Sequence, residues 1–401
     1  MGHDDIPALS LVFNPRIARV PGEVLQGEVH LYFPTLLSDN IEEVHLKLRG
    51  SVVTKITRQQ GQNQVTRRQR EDLARETVSL WQKGGAYPPP DSHTLVLPFR
   101  FQLPSNLPPS CSFGGYHWSA TIGYALEAVG ERSGLHFNRR EFASFPVLPA
   151  NPEGAGLRSF MTMEGWHGGW TTLERRAEIR RGIWGDYSEV KAILVLPALE
   201  AFPIQTPIPF SLNIVTITKA MKQDDIKEGE PIFPAPPTLP KDLEFEMNRR
   251  VYVYARGWSR TSDDSAIARL GGFGESIVPQ YSANVQFEPM DKVWIPSQDS
   301  HDEKKRKGQW KQETTVKSVF VITQPPAFST TTINTSYSAE LRIDFPGIGN
   351  DLKFKFPLNV ISCVAPPGTQ GWDGPPPEPL DLPPSYFASA DWHHDDEKGD
   401  E

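Results

Sequence analysis

Apolar and polar residues alternate along much of the chain, and this pattern predicts β-strands. Between positions 94 and 103 a large apolar residue occupies every odd position, and from 116 to 128 seven residues fall on one face in the same way. A period of two places alternate side chains on one face of a strand. The same period recurs in four further segments: Val44/Leu46/Leu48/Gly50, Phe210/Leu212/Ile214, Val251/Val253/Ala255 and Leu352/Phe354/Phe356/Leu358/Val360.

The spacing of these segments predicts the fold class. Turns rich in Gly, Pro and Asn separate them at regular intervals, which is typical of antiparallel β-sandwiches. Residues 67–81 and 172–181 could be helical, although neither has a clean period of 3.6. The 38 prolines among 401 residues also oppose a helix-rich protein. We predict an all-β protein with at most one short helix per domain.

The length of 401 residues predicts two domains, because a single hydrophobic core stops growing at about 250–300 residues. The boundary is predicted after Phe145-Pro146-Val147-Leu148-Pro149, where a Gly- and Pro-rich stretch follows. We expect antiparallel, immunoglobulin-like sandwiches at 1–150 and 170–365, a linker at 151–169 and a C-terminal tail at 366–401.

The formal net charge of −8 is concentrated in this tail, which holds nine acidic residues, one lysine and eight prolines. Such a composition cannot bury enough apolar surface to offset the entropy of ordering. We therefore expect residues 366–401 to be disordered, and we expect Tyr386→Ala to leave thermal melting unchanged. The remainder of the chain is neutral, which argues against nucleic acid as its main partner.

Sequence signatures of catalysis are missing from the chain. It contains no Gly-Lys dipeptide, no HExxH and no GxSxG, and Gly271-Gly272-Phe273-Gly274 precedes no helical pattern. The two cysteines, Cys111 and Cys363, are isolated, which disfavours a disulfide scaffold or a zinc site. His393-His394 in the acidic tail could hold a metal only at a high cost of ordering. We predict a non-enzymatic, soluble intracellular protein without metal or cofactor.

Residues 51–75 carry an excess of four positive charges in an otherwise neutral body. Such a patch suits an anionic lipid or an acidic or phosphorylated peptide, and an ordinary exposed loop remains the alternative. The candidate lipid- or cargo-contacting residues are Lys55, Arg58, Arg67, Arg68 and Arg70.

The tail contains a PPxY sequence, Pro383-Pro384-Ser385-Tyr386. Two prolines favour a polyproline II helix, which has three residues per turn, so the tyrosine returns to the same face as the first proline. WW domains recognise proline-rich segments of this kind in an aromatic-lined groove. We predict that Pro383, Pro384 and Tyr386 bind a WW domain. The run at 375–379 could instead serve an SH3 domain, but it lacks a flanking Arg or Lys.

Two β-sandwiches followed by a PPxY tail resemble the α-arrestins, the arrestin-related trafficking adaptors. Coverage is nearly the whole chain, and the order of the matching segments carries the resemblance. These segments are Val20-Pro21-Gly22-Glu23-Val24-Leu25-Gln26-Gly27-Glu28-Val29, Val44-His45-Leu46-Lys47-Leu48-Arg49-Gly50, Leu97-Pro98-Phe99-Arg100-Phe101-Gln102-Leu103-Pro104, Leu107-Pro108-Pro109-Ser110, Gly123-Tyr124-Ala125-Leu126-Glu127-Ala128 and the strand at 352–361.

The resemblance implies an adaptor that links membrane transporters or receptors to a HECT-type ubiquitin ligase, whose WW domains bind the PPxY sequence. Ubiquitin is then attached covalently and the cargo is internalised by endocytosis. A cytoplasmic protein that is recruited peripherally to the plasma membrane or endosomes is expected. The chain has one PPxY where many members have two or more, and it lacks a clathrin-box pattern. The alternative is a retromer-like sorting scaffold with the arrestin fold, which works without a ligase.

Overall fold

The computed structural model describes residues 6–133, 137–182, 185, 187–226, 231–274, 285–297, 307–347, 349–367 and 380–388. These residues form two α-helices, α1 (Phe33–Ser38) and α2 (Pro152–Met163). Their strands are β1 (Leu9–Val12), β2 (Val24–Tyr32), β3 (Ile41–Gln60), β4 (Asn63–Gln82), β5 (Thr94–Gln102), β6 (Cys111–Gly115), β7 (Trp118–Arg132), β8 (Arg139–Phe145), β9 (Trp170–Arg180), β10 (Tyr187–Pro197), β11 (Phe202–Pro203), β12 (Ile208–Ile217), β13 (Met221–Lys222), β14 (Leu243–Ala255), β15 (Trp258–Arg269), β16 (Gln286–Pro289), β17 (Val293–Pro296), β18 (Lys307–Phe320), β19 (Ile333–Asp344), β20 (Asp351–Leu358) and β21 (Val360–Ile361). The predicted all-β class with antiparallel sheets is confirmed.

The alternating segments of the sequence lie in strands. In β5, Phe99 and Phe101 are buried whereas Arg100 between them is exposed, as a period of two requires. Tyr116 departs from the pattern, because it lies in the turn between β6 and β7 and is 81% exposed.

The two stretches that could be helical are strands. Residues 67–81 belong to β4, which pairs with β3 along its whole length, from Gln60↔Asn63 at the hairpin turn to Glu43↔Gln82. Residues 172–181 overlap β9, which pairs with β10. Pairing with a neighbouring strand decides the conformation here, since the local pattern favours neither period strongly.

Two antiparallel sheets face each other in the N-terminal sandwich. One sheet has the order β1-β2-β5, and the other has the order β4-β3-β7-β6, with β8 also paired to β7. Leu25 and Phe101 from the first sheet and Leu46 and Leu126 from the second belong to one buried cluster. Burial of these apolar faces is what holds the two sheets together.

The C-terminal sandwich is built in the same way. One sheet has the order β13-β18-β12-β10-β9, with β16 and β17 also paired to β18, and the other has the order β15-β14-β19-β20. Its buried cluster combines Leu212 and Ile214 from the first sheet with Phe245 and Leu341 from the second.

Helix α2 lies within the segment that the sequence predicts as a linker. The Asn151 side chain accepts a hydrogen bond from the Gly154 N–H at 2.7 Å, and Pro152 occupies the first turn. A Cβ at Gly154 would lie 2.0 Å from the Ser362 carbonyl oxygen. The Gly and Pro that suggested a linker therefore start a helix and let it approach the C-terminal sandwich closely.

Candidate functional site at the domain junction

Strand β14 joins the two hydrophobic cores. Phe245 in its first half belongs to the C-terminal core, whereas Val251 and Val253 in its second half belong to the N-terminal core. Its second half lies near β3, where the Thr54 hydroxyl donates to the Tyr254 carbonyl oxygen at 2.7 Å. The two sandwiches therefore share buried surface at this junction.

Two of the predicted anion-contacting residues, Arg58 and Arg67, lie against the C-terminal sandwich. Their guanidinium carbons are 4.8 Å and 4.4 Å from the ring centroid of Trp258, which is only 8% exposed. Arg58 also donates to the Ser259 carbonyl oxygen at 2.9 Å, and Arg67 donates to the carbonyl of Arg256. We call these five residues the arginine bridge. Cation–π stacking and hydrogen bonds both hold it across the junction.

The period of two along β4 divides the basic run between two surfaces. Gln69 faces the C-terminal sandwich like Arg67, because its side-chain oxygen accepts a hydrogen bond from the Arg256 N–H at 2.8 Å. Arg68 and Arg70 lie on the opposite face of the strand and line a cavity there. The basic run is therefore not one continuous patch.

This cavity has a volume of about 780 Å³ and a basic lining. Its basic residues are Lys47, Arg49, Arg68, Arg70, Arg75, Arg140 and Arg256, and its acidic residues are Asp72, Glu76 and Glu131. We call it the cationic pocket. Lys55 is the cross-strand partner of Arg68 and shares its face of the sheet. The excess of positive charge in a concave surface favours anionic ligands.

A buried carboxylate positions two arginines of the cationic pocket. Glu127 is 1% exposed and accepts a hydrogen bond from Arg49 Nε at 2.6 Å and another from Arg140 Nη1 at 2.7 Å. Arg49 is also buried, so the positive charge of Arg49 and the negative charge of Glu127 compensate each other away from solvent. Glu127 thereby fixes these guanidiniums at the wall of the pocket.

Residues 380–388, which we call the PPSY segment, pack against the folded body. Leu382 is 7% exposed and Tyr386 is 1% exposed, and both belong to the C-terminal core. This differs from the expectation that the whole tail is disordered. The apolar side chains at 380, 382, 386 and 387 explain the difference, because they bury surface despite the acidic and proline-rich composition around them. The run at 375–379 and His393-His394 lie outside the described residues.

The backbone of the PPSY segment is not a continuous polyproline II helix. Pro383 has φ −58° and ψ 156°, close to polyproline II, but Pro384–Phe387 form a 3₁₀ turn. The Tyr386 N–H donates to the Pro383 carbonyl oxygen at 3.0 Å and closes this turn. Pro384 is exposed whereas Pro383 is half-buried. Of the three predicted WW-binding residues, Tyr386 is thus the one that the fold encloses.

The PPSY segment contacts both sandwiches. Its 3₁₀ turn lies near β6 and β8 of the N-terminal sandwich. On the C-terminal side, Gln205 Nε2 donates to the Asp381 carbonyl oxygen at 3.0 Å. Tyr386 is therefore buried at the junction between the domains.

The Tyr386 hydroxyl is buried near another phenol and two thiols. Among the described residues neither this hydroxyl nor that of Tyr337 has a hydrogen-bond partner. Burial raises the pKa of Tyr386 well above its usual value, and the nearby Tyr337, Cys111 and Cys363 raise it further. Burial likewise raises the pKa of Cys363 to about 11. Both cysteines are free and buried, so they behave as small apolar groups.

The sequence did not predict which side chains contact the candidate site. The main ones are Trp258, which contacts Arg58 and Arg67, and Gln205, which binds the PPSY segment. One signal was present: Arg256-Gly257 lie between two alternating segments, and both have positive φ, as in a two-residue hairpin turn. The turn predicts a hairpin at 255–258, but it does not predict what the hairpin tip contacts.

The chain matches no known protein-family model, and it matches no curated protein. Within the part of the chain that the structure describes, no helix has the length and apolar character needed to cross a membrane. The same residues contain no cluster of three or more potential metal ligands from His, Cys, Asp or Glu.

Proposed function

We propose that this protein is a non-enzymatic adaptor that links membrane cargo to a HECT-type ubiquitin ligase. The observation that carries this proposal is the order of its parts, two tandem antiparallel sandwiches followed by a PPxY sequence. In this proposal the WW domains of the ligase bind Pro383, Pro384 and Tyr386, and ubiquitin is attached to the adaptor and its cargo. The likeness to the α-arrestins supports the same assignment.

The cationic pocket is the proposed contact for cargo or membrane. Arg68 and Arg70 line it together with Arg49 and Arg140, which Glu127 holds in place. Arginine forks suit phosphate and carboxylate groups, so acidic or phosphorylated cytosolic segments of transporters or receptors, or anionic lipid headgroups, fit the pocket. Binding there would recruit the protein peripherally to the plasma membrane or endosomes.

A second candidate function is a sorting scaffold that works without a ubiquitin ligase. The observation that favours it is the burial of Tyr386, because a side chain inside the core is not available to a partner. This function predicts that the PPxY sequence is dispensable for cargo transport.

The two functions are separated by reconstituted ubiquitylation with a recombinant HECT-type ligase and by cargo internalisation in cells. The adaptor predicts that Tyr386→Ala abolishes ubiquitylation of the protein and slows internalisation. Tyr116→Ala, which changes an exposed tyrosine of the body, is the matched control and should alter neither. Full ubiquitylation and internalisation with Tyr386→Ala would exclude the adaptor and favour the scaffold.

A further inference from the structure

We propose that the domain junction masks the WW ligand of this protein, so that the PPSY segment is bound intramolecularly and must leave the junction before a WW domain can bind. This inference rests on the proposed function for the identity of the partner. Its physical basis is the observed position of Tyr386, which is 1% exposed between the two sandwiches.

The docked conformation is incompatible with WW recognition for two separate reasons. A WW domain encloses the tyrosine ring in a pocket of its own, and that ring is already enclosed by the core around Tyr337. A WW domain also selects polyproline II geometry, whereas Pro384–Phe387 form a 3₁₀ turn. Binding therefore requires both undocking and a change of backbone conformation.

Undocking leaves the sheets of both sandwiches intact. The hydrogen bonds inside the PPSY segment, from Tyr386 N–H to Pro383 and from Leu382 N–H to Leu380, join neighbouring residues. The bond from Gln205 to Asp381 connects the segment to the body through a side chain. Since none of these bonds belongs to a strand ladder, the segment can leave as a unit while the domains stay folded.

The contacts of the PPSY segment favour docking of moderate strength. The Leu382 and Tyr386 side chains bury apolar surface and stabilise the docked state. The Tyr386 hydroxyl opposes docking, because it leaves water and finds no hydrogen-bond partner among the described residues. Because these two effects oppose each other on one side chain, the net free energy of docking stays small enough for the segment to undock.

The docked segment also reports on the arrangement of the domains. Its turn lies near β6 and β8 on one side, and Asp381 is held by Gln205 on the other. A change that separates these surfaces removes contacts from the segment and raises the open fraction. Ligase recruitment would thereby depend on the state of the junction as well as on the PPxY sequence itself.

Calorimetric titration of a recombinant WW domain from a HECT-type ligase tests the mask. The WW domain is titrated into the intact chain and, separately, into a synthetic peptide covering residues 378–392. The apparent affinity of a masked ligand falls in proportion to its open fraction, so an open fraction of about one tenth weakens binding about tenfold relative to the peptide. Equal affinity of the intact chain and the peptide would overturn the mask and leave the adaptor function standing.

Two variants open the junction without changing Pro383, Pro384 or Tyr386. Leu382→Ser removes a buried apolar contact, and Gln205→Ala removes the bond to Asp381 from the body side. Each should bring the affinity of the intact chain closer to that of the peptide with the same tail sequence, with the larger recovery for Leu382→Ser. Asp381→Asn changes an exposed side chain and is the matched control that should leave the masking ratio unchanged. No recovery in either opening variant would overturn the mask.

Hydroxyl-radical footprinting tests docking without a ligase. Tyr386 of the intact chain should be oxidised at least tenfold more slowly than Tyr116, which is 81% exposed, and the rates should converge in denaturant. If the peptide fails to bind the WW domain while Tyr386 stays protected, the adaptor function is wrong and docking remains. If Tyr386 is oxidised as fast as Tyr116, docking itself is wrong.

Discussion

The arginine bridge and the PPSY segment are two regions whose sequences suggest contact with other molecules, and both lie at the domain junction instead. Arginines that can stack on a ring, and a tyrosine that follows two prolines, serve an internal contact with the same chemistry as an external one. The regions differ in how they are attached. The bridge belongs to β4, β3 and the β14–β15 hairpin, whereas the PPSY segment belongs to no sheet. A buried binding motif therefore remains available to a partner only if its segment can leave the folded domains without breaking the hydrogen bonds of a β-sheet.

The largest effect is expected at the arginine bridge. Trp258→Ala removes the ring beneath Arg58 and Arg67 and leaves a cavity in the N-terminal core, so the free energy of unfolding should fall by about 3–5 kcal/mol. Urea unfolding measures this change. Tyr252→Ala in β14 removes a partly exposed ring and is the matched control, with an expected loss below about 1 kcal/mol. Equal losses in the two variants would mean that the bridge is not a structural contact.

A smaller stability effect is expected at the PPSY segment. Burial of an aromatic ring stabilises by roughly 3 kcal/mol and the unpartnered hydroxyl costs about 1–2 kcal/mol, so Tyr386→Ala should lower the free energy of unfolding by about 1–2 kcal/mol. The loss is bounded because the segment can undock while the domains remain folded. The sequence predicted an exposed tail and therefore no change in melting for Tyr386→Ala. Because Tyr386 is buried, we now expect a loss of stability. An unchanged urea midpoint would restore the expectation of no change.

The two faces of β4 should respond differently to loss of charge. Replacing Arg68 and Arg70 by Gln removes two positive charges from the cationic pocket; at about 1 kcal/mol per charge, binding to anionic liposomes should fall roughly 30-fold. Co-sedimentation with vesicles that contain phosphatidylserine measures this change, which should weaken as salt rises. Arg67→Gln is the control, because the Arg67 side chain stacks on Trp258 and does not line the pocket. It should lower the free energy of unfolding and change lipid binding less than the double variant does. If Arg67→Gln lowered lipid binding more than the double variant does, the lipid contact would lie on the face of β4 that carries Arg67.

The smallest effect concerns the Tyr386 hydroxyl alone. Tyr386→Phe keeps the ring and removes a buried hydroxyl without a partner among the described residues, so it should strengthen docking by about 1 kcal/mol. The raised pKa means that docking favours the neutral phenol, so the contribution of this group to docking is fully present below the usual tyrosine pKa and is lost as pH rises through the raised value. The difference between the tyrosinate absorbance titrations of the parent and Tyr386→Phe chains should therefore have its midpoint above that of an exposed tyrosine. A midpoint at the usual tyrosine value would mean that the Tyr386 phenol is exposed and that the segment is not docked.

The fold class was predictable because its signal is local. Alternation in segments such as 94–103 reports which side chains of one strand face the core, and that requires no knowledge of other strands. The conformation of β4 was harder to predict, since its polar residues at 67–72 give no apolar period on either template. Once β4 is known to be a strand, the separation of Arg67 from Arg68 and Arg70 follows from the period of two.

The location of Tyr386 could not be predicted from the sequence. The composition of 366–401 is that of a disordered tail, and an average composition does not show that a short stretch within it is apolar enough to be buried. The side chains of Leu382 and Tyr386 are buried because a groove between two domains fits them. That groove includes residues far away in the sequence, such as Gln205, and no local pattern reports it.

Native-state hydrogen exchange in the presence of the WW domain tests the central claim most directly. A WW domain that binds the undocked and unfolded chains, but not the docked one, removes the stability that docking contributes. With the WW domain in saturating excess, the slowest-exchanging core amides of β3 and β12 should therefore exchange faster, by the same factor that separates the WW affinities of the peptide and the intact chain. The Tyr386→Ala chain should show no acceleration. Exchange rates that do not change on addition of the WW domain, in a chain that binds it, would mean that the PPSY segment is already free and would contradict the masked adaptor.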